Sequence, residues 1–200
     1  MHDKWYGDNR DLVKWGTLLE LAHRYGARHI LQVLYKRKTE WGQLEIDGQI
    51  VELPDAVIRH FRNSAAIGTM RCECDIEIVP EINEGREDYH QVVLCKLQAR
   101  KKFPGIVFLD PDTGLEPPSR PGLQHVRAAD LEEIWRAMQP RDVLVLYQHQ
   151  TNRNGRRWIK PKRTQFEHAL KINQGSSKLA RATKIASDVA FIFAQKNTQQ

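Results

Sequence analysis

Across residues 11–25 apolar side chains recur at Leu12, Trp15, Leu18, Leu19 and Ala22. That is the i, i+3, i+4 stripe of a helix with one buried side, with Asp8 or Asn9 available as a cap and Gly26 as a stop. The period then changes. Residues 29–35 read HILQVLY, short, apolar and β-branched, and predict a strand. Two alternating runs, 44–46 and 50–52, flank Asp47-Gly48 and predict a two-residue β-hairpin. Residues 54–62 open with proline and place Val57, Ile58 and Phe61 on one helical face. A short strand is expected over 75–79 and a helix over 87–102, with Val92, Val93, Leu94 and Leu97 as its apolar side. The basic end of that helix, Arg100-Lys101-Lys102, suits the negative pole of its dipole.

The unbroken apolar runs at 106–109 (IVFL) and 143–147 (VLVLY) have the character of central strands covered on both faces. Between them, residues 130–138 predict a helix capped by Asp130 and closed by Pro140. A helix over 162–172, a loop over 174–177 and a strand over 189–193 complete the chain. Strands alternating with helices predict one α/β domain over 1–200: a mostly parallel sheet with helices on both faces and a small β-hairpin insertion at about 43–53.

Composition adds the class. With 200 residues, 40% of them apolar and 28% charged, the chain is ordinary for a globular protein. It lacks an apolar run of membrane-spanning length, and no apolar stretch follows the first charged residues. No membrane association and a cytoplasmic location are expected. Cys72, Cys74 and Cys95 have no framework spacing. Cys95, set among apolar neighbours, is expected to be a small core residue.

A net charge of +6 favours an anionic partner, and its distribution sharpens the point. From Val143 to Phe166 there is no Asp or Glu, while Arg153, Arg156, Arg157, Lys160, Lys162 and Arg163 crowd together around Trp158. Cations interleaved with an aromatic suit phosphate contact plus base stacking, so nucleic acid is the expected partner of this segment. Trp5, Trp15 and Trp135 read as packing residues.

Candidate chemistry lies where the central strands stop, because open α/β sheets bind ligands beyond the carboxyl ends of their strands. One strand runs into Asp110-Pro111-Asp112-Thr113-Gly114-Leu115-Glu116, the other into Tyr147-Gln148-His149. A proline and a glycine stiffen and bend the first loop around three carboxylates. Asp110, Asp112 and His149 are the candidate catalytic groups.

Three segments resemble an uncharacterised prokaryotic family: Gly7-Asp8-Asn9-Arg10-Asp11-Leu12-Val13-Lys14, Phe108 through Glu116, and Tyr147-Gln148-His149. The layout is also similar, more distantly, to class I, S-adenosylmethionine-dependent ribosomal RNA adenine-N6 methyltransferases. Their strand-terminal Asp-Pro-Pro-Tyr stands where this chain has Asp110-Pro111-Asp112-Thr113. The resemblance implies a Rossmann-like, methyltransferase-like fold. It implies that Asp110 accepts a hydrogen bond from a target amino group, and that Lys14, Asp8 and Gly114 lie near the cofactor. The chain departs from that pattern at Thr113, which cannot stack on a base. It departs again after residue 35, where Lys36-Arg37-Lys38 stands instead of a glycine-rich turn.

Three functions compete. The first is a methyltransferase-like domain using S-adenosylmethionine on nucleic acid. The second is a Mg²⁺-dependent nuclease or phosphoesterase, with Asp110, Asp112 and Glu116 as hard oxygen ligands. The third is a non-catalytic domain that binds nucleic acid or protein through a degenerate enzyme fold.

Overall fold

In the computed structural model, which describes residues 9–35, 43–46, 49–52, 72–79, 85–100, 103–117, 122–150 and 157–197, the chain opens with helix α1 (Asn9–Tyr25). Its inward stripe runs Asp11, Lys14, Leu18, Leu21 and Ala22, all buried at helical spacing. The first two of these positions are charged. An apolar-stripe reading therefore rotates the helix, and Leu12, expected inside, is 65% exposed. Gly26 ends α1 at φ 61°, and the Ala27 amide donates back to the Ala22 carbonyl at 2.9 Å. This is a left-handed closure that favours glycine.

Strands β1 (His29–Tyr35), β4 (Asp75–Val79), β5 (Gly105–Pro111), β8 (Val143–His149), β9 (Lys178–Ala182) and β10 (Ala186–Gln195) form the central sheet in the order β4-β1-β5-β8-β10-β9. The first four run parallel, and β10 is antiparallel to both β8 and β9. The two apolar runs lie side by side as expected, Ile106 opposite Val143 through Leu109 opposite Leu146. Asp110 and His149 accordingly emerge at the same end of the sheet. Strand β9, at the sheet edge, is additional to the expected elements. Its residues Lys178, Leu179 and Arg181 are exposed, which removes the apolar alternation that marks a strand.

Away from the sheet, β2 (Gln43–Ile46) and β3 (Gln49–Glu52) pair with Ile46 opposite Gln49, the register of a two-residue hairpin. The Asp47-Gly48 turn itself and the helix expected over 54–62 lie outside the described residues. Short strands β6 (Gly114–Leu115) and β7 (His125–Val126) pair in parallel.

Helices cover both faces. On one side α1 packs Val13, Trp15 and Leu18 against Ile30, Ile106, Phe108, Val145 and Tyr147. On the other, α2 (Arg86–Ala99), α3 (Ala128–Ala137) and α4 (Ile159–Leu170) bury Val93, Leu97, Ile134, Trp135 and Phe166 against Leu109, Leu144 and Leu146. Side-chain alternation along each strand divides the residues between these two cores.

Three local expectations are corrected. Arg127, not Asp130, is the N-terminal cap of α3. Asp130 instead meets Arg86 Nε at 3.0 Å, and the same guanidinium donates to the His125 carbonyl at 2.8 Å. Cys95 is exposed, because α2 turns Val93 and Leu97 inward and Cys95 falls on the opposite side. Arg100 is not a dipole-complementing surface cation but pairs with buried Asp142 at 2.8 Å. The other expected cations there, Lys101 and Lys102, lie outside the described residues. Among the described residues no helix is long and apolar enough to cross a membrane.

Candidate active site

The chain leaves β1 for β4 on one side and returns to β5 on the other, so the sheet order reverses between β1 and β5. Ligand crevices of open α/β sheets form at such a point, beyond the carboxyl ends of the strands. Leu34 is registered opposite Asp110 and Gln32 opposite Phe108, so Gln32 and Asp110 project on the same face, the one α1 covers. There Lys14 reaches down from α1. Its Nζ lies 3.0 Å from Asp110 Oδ2 and 3.1 Å from Asp11 Oδ1, while Gln32 Nε2 donates to Asp110 Oδ2 at 2.7 Å. Asp110 and Gln32 are fully enclosed, and Lys14 nearly so.

Among the described residues two atoms of this cluster have no hydrogen-bond partner: Asp110 Oδ1 and Gln32 Oε1. Both are acceptors. A buried acceptor left unsatisfied is costly, so a ligand donor at this point gains more than it would in water. Burial alone would lower the pKa of Lys14, but the carboxylates of Asp110 and Asp11 outweigh it and hold the ammonium above its ordinary value. The two carboxylates thus favour the charged form of Lys14.

From β8 the same face receives Tyr147 and, two residues on, His149. Lys14 Nζ sits 4.8 Å from the Tyr147 ring centroid, and the His149 ring meets Tyr147 edge-on at 4.8 Å. Burial lowers the His149 pKa, helped by the cations of Arg10 and Lys14 and opposed by Asp188 and Asp112. Arg10 pairs with Asp188 at 2.7 Å, tying the start of α1 to β10 beside this histidine.

The Asp-Pro-Asp-Thr-Gly-Leu-Glu loop passes from the α1 side of the sheet to the other. Asp110 faces α1, whereas Leu115 joins the opposite core. Lys162 Nζ donates to the Leu115 carbonyl at 3.0 Å and Gln165 Nε2 to the Glu116 carbonyl at 2.9 Å, fastening that stretch to α4. Among the described residues no group of three or more His, Cys, Asp or Glu could hold a metal ion, so the expected ligand set of Asp110, Asp112 and Glu116 is not assembled. Gly114, at φ 119°, lies against the Gln148 amide, whose Oε1 accepts from the Leu115 amide at 2.9 Å and whose Nε2 donates to the Thr113 carbonyl at 3.0 Å. Its role in this structure is to let that glutamine lock the loop.

The basic segment resolves into two parts. Lys162 turns inward to hold the loop, and burial lowers its pKa. Arg157, Trp158, Lys160 and Arg163 instead line a cleft of about 730 Å³ at the start of α4, shared with Gln150 from the end of β8 and Arg181 from β9. Arg153, Arg156 and Asp8 lie outside the described residues. Sequence reasoning missed Gln32, Arg181 and the partnership of Asp11 with Lys14. A glutamine inside the apolar run HILQVLY was the available signal for the first, since buried polar residues are the informative exceptions in a core.

No family model matches this chain, and no curated protein matches it. Among solved structures it is similar to a DUF574 family protein from Streptomyces avermitilis MA-4680, with TM-score 0.43 and 10% identity over 94% of this chain and 82% of that one. It is similar to human methyltransferase-like protein 13 in complex with SAH, with TM-score 0.40 and 18% identity over 92% and 77%. LepI in complex with SAM gives TM-score 0.30 and 14% identity over 92% of this chain and 41% of its own. At such scores the likeness carries nothing about ligand or activity.

Proposed function

We propose that this chain is a methyltransferase-like domain that binds S-adenosylmethionine in the crevice beyond β1 and β5 and acts on nucleic acid. The observation carrying this reading is the buried acceptor pair, Asp110 Oδ1 and Gln32 Oε1, at the point where the sheet order reverses. Acceptors without a donor fit an amino group, whether on the cofactor or on a target base. Asp110 and Gln32 are the residues that would receive it. When bound, S-adenosylmethionine supplies an electrophilic methyl group. Lys14 and Gln32 fix the Asp110 carboxylate in place, so that no reorganisation is needed as the amine is presented. His149, kept neutral by burial, is the group at this end able to take up a proton. The cations at the start of α4 provide the phosphate contacts that a nucleic acid needs.

The test is calorimetric and thermal titration with S-adenosylmethionine and its demethylated product. Free ligand at one hundred times its dissociation constant should stabilise the fold by about 2.7 kcal/mol. Asp110→Asn should weaken that binding or abolish methyl transfer to bulk RNA or DNA. Absence of any thermal shift with the wild-type chain would remove the cofactor from the reading. The metal-dependent hydrolase has no comparable support, because among the described residues no three of its possible ligands come together.

A further inference from the structure

We infer that the cleft between the start of α4 and β9 is a binding site for an unpaired nucleic-acid strand, with Trp158 as the platform for one base and Arg157, Lys160 and Arg181 as the phosphate contacts. This deepens the reading above by naming the substrate class, and rests on it only for what happens to the strand afterwards.

The argument begins with charge. Four cations, Arg157, Lys160, Arg163 and Arg181, line one concavity, and they come from two elements separated in the chain. Glu167 is the one carboxylate among the described lining residues, and its oxygens are already engaged. Oε1 accepts from Ser177 Oγ at 2.5 Å and from the Ser177 amide at 3.0 Å, and Oε2 accepts from the Gly175 amide at 3.0 Å. Arg163 turns toward the same place, donating to Ser177 Oγ at 3.2 Å and to the Ser177 carbonyl. Among the described residues Arg157 and Lys160 have no carboxylate partner, so the cleft presents uncompensated positive charge.

Shape selects among anions. A duplex is read by an element that enters its groove, roughly 12 Å wide in B-form DNA, so the protein must protrude there. Here the basic surface is recessed, about 730 Å³ in volume, within the range of roughly 300–1,000 Å³ typical of small-ligand clefts. A space of that size accepts nucleotides of a single strand, not a double helix. Half-buried Trp158 stands in its wall beside the exposed cations, and aromatic faces among phosphate-binding cations are the recurrent device of single-strand recognition. Gln150, in the cleft lining, follows His149 directly, and its amide donates to the Asp188 carbonyl at 2.7 Å.

The experiment is fluorescence anisotropy of a fluorescein-labelled short unpaired oligonucleotide, compared with its duplex, on the full chain over a salt series. The unpaired strand should bind more tightly than the duplex, with affinity falling as salt rises. Trp158→Ala should weaken binding roughly 5- to 100-fold, the range of one base-stacking contact, and Trp158→Phe should restore most of it. Arg181→Gln should lower the slope of log affinity against log salt by about 0.7, the share of one single-strand phosphate contact. Arg181 is exposed on an edge strand, so this variant folds whatever Trp158→Ala does. Wild-type affinity in both Arg181→Gln and Trp158→Ala, or preference for the duplex, overturns the inference. Cofactor titration of the same proteins separates the two readings. Oligonucleotide binding through this cleft without any S-adenosylmethionine binding keeps the inference and sinks the methyltransferase reading, whereas cofactor binding with no oligonucleotide binding sinks the inference alone.

Discussion

Lys14 Nζ and Asp110 Oδ2 stand 3.0 Å apart across 96 positions of the chain, both enclosed, and join the first helix to the end of a central strand. Enclosed ions are expensive to desolvate, and the cluster is tolerated because each charge is hydrogen-bonded: the ammonium lies between two carboxylates, and the Asp110 oxygen takes a second donor from Gln32. A core built for stability alone would place leucine at position 14 of this stripe. The pair, at the carboxyl end of β5, holds the Asp110 carboxylate at a fixed angle.

Lys14→Met should therefore destabilise strongly, by about 3–5 kcal/mol, since it strands Asp110 and Asp11 without their cation. Asp110→Asn should cost less, because an amide oxygen still accepts from Lys14 and Asp11 still neutralises it. The double variant should cost less than the sum of the two, the sign of a direct coupling. Urea midpoints measure all three. A Lys14→Met midpoint close to wild type would mean that the ion pair does not hold these elements together.

Much of this architecture was legible in the sequence because burial leaves a periodic trace. The runs IVFL and VLVLY announce central strands, and the polar residues after them stand at one end of the sheet. The trace fails where polar residues are buried. Asp11 and Lys14 occupy inward positions of α1, so an apolar-stripe reading rotates the helix and puts Leu12 inside. It fails at edges as well, where β9 has exposed Lys178, Leu179 and Arg181 and pairs through its backbone. The site was half legible for a related reason. Asp110 and His149 share an end of the sheet by strand register, which sequence predicts. The separation of Asp110 from Glu116 depends on the direction the loop takes after Pro111, and that is set by Gln148, Lys162 and Gln165 from distant segments.

Titration of His149 should be visible in folding. Burial first, with Arg10 and Lys14 assisting, lowers its pKa from the ordinary 6.5. As pH falls below 6.5 the unfolded chain takes the proton before the folded one. The stability that rests on the neutral ring is complete above 6.5 and is lost as pH falls through the folded value. His29 is shifted in the same direction, by burial and by Arg100, so the wild-type trend contains both. His149→Asn isolates one. Between pH 7 and 5 its unfolding free energy should fall less steeply than wild type, the difference reaching at most about 1.4 kcal/mol per pH unit. Parallel curves would place His149 in contact with solvent.

Gly114 combines two constraints that a variant can separate. Its φ of 119° is one that side chains rarely adopt, and an added Cβ would fall 2.2 Å from Gln148 Oε1. Gly114→Ala should cost about 1–3 kcal/mol from backbone strain alone, with the clash in addition. Gln148→Ala clears the clash, yet the double variant should remain less stable than Gln148→Ala by the backbone share. Equal melting temperatures for those two proteins would show that steric contact, not φ, makes the glycine necessary.

Glu167 offers the last test, because one carboxylate organises the wall of the basic cleft. Burial alone would raise its pKa, but hydrogen bonds from Ser177 and the Gly175 amide, with Arg163 nearby, hold it below the ordinary 4.5. Its contribution to stability should be complete above pH 4.5 and vanish as pH falls through the lower folded value. Glu167→Ala removes the acceptor for two amides and a hydroxyl, and should cost about 3 kcal/mol at neutral pH. Glu167→Gln keeps an acceptor oxygen but presents donors to donors, so it should recover only part of that loss. The mechanical role also predicts the sign of a ligand effect. Deleting a negative charge should strengthen strand binding if the loop stays in place, whereas a displaced turn should weaken it despite the more positive cleft. Paired measurements of melting temperature and oligonucleotide affinity decide the point. Glu167→Ala with wild-type stability and tighter binding would reduce Glu167 to a surface charge, and the turn at 173–177 would then be held by its own backbone.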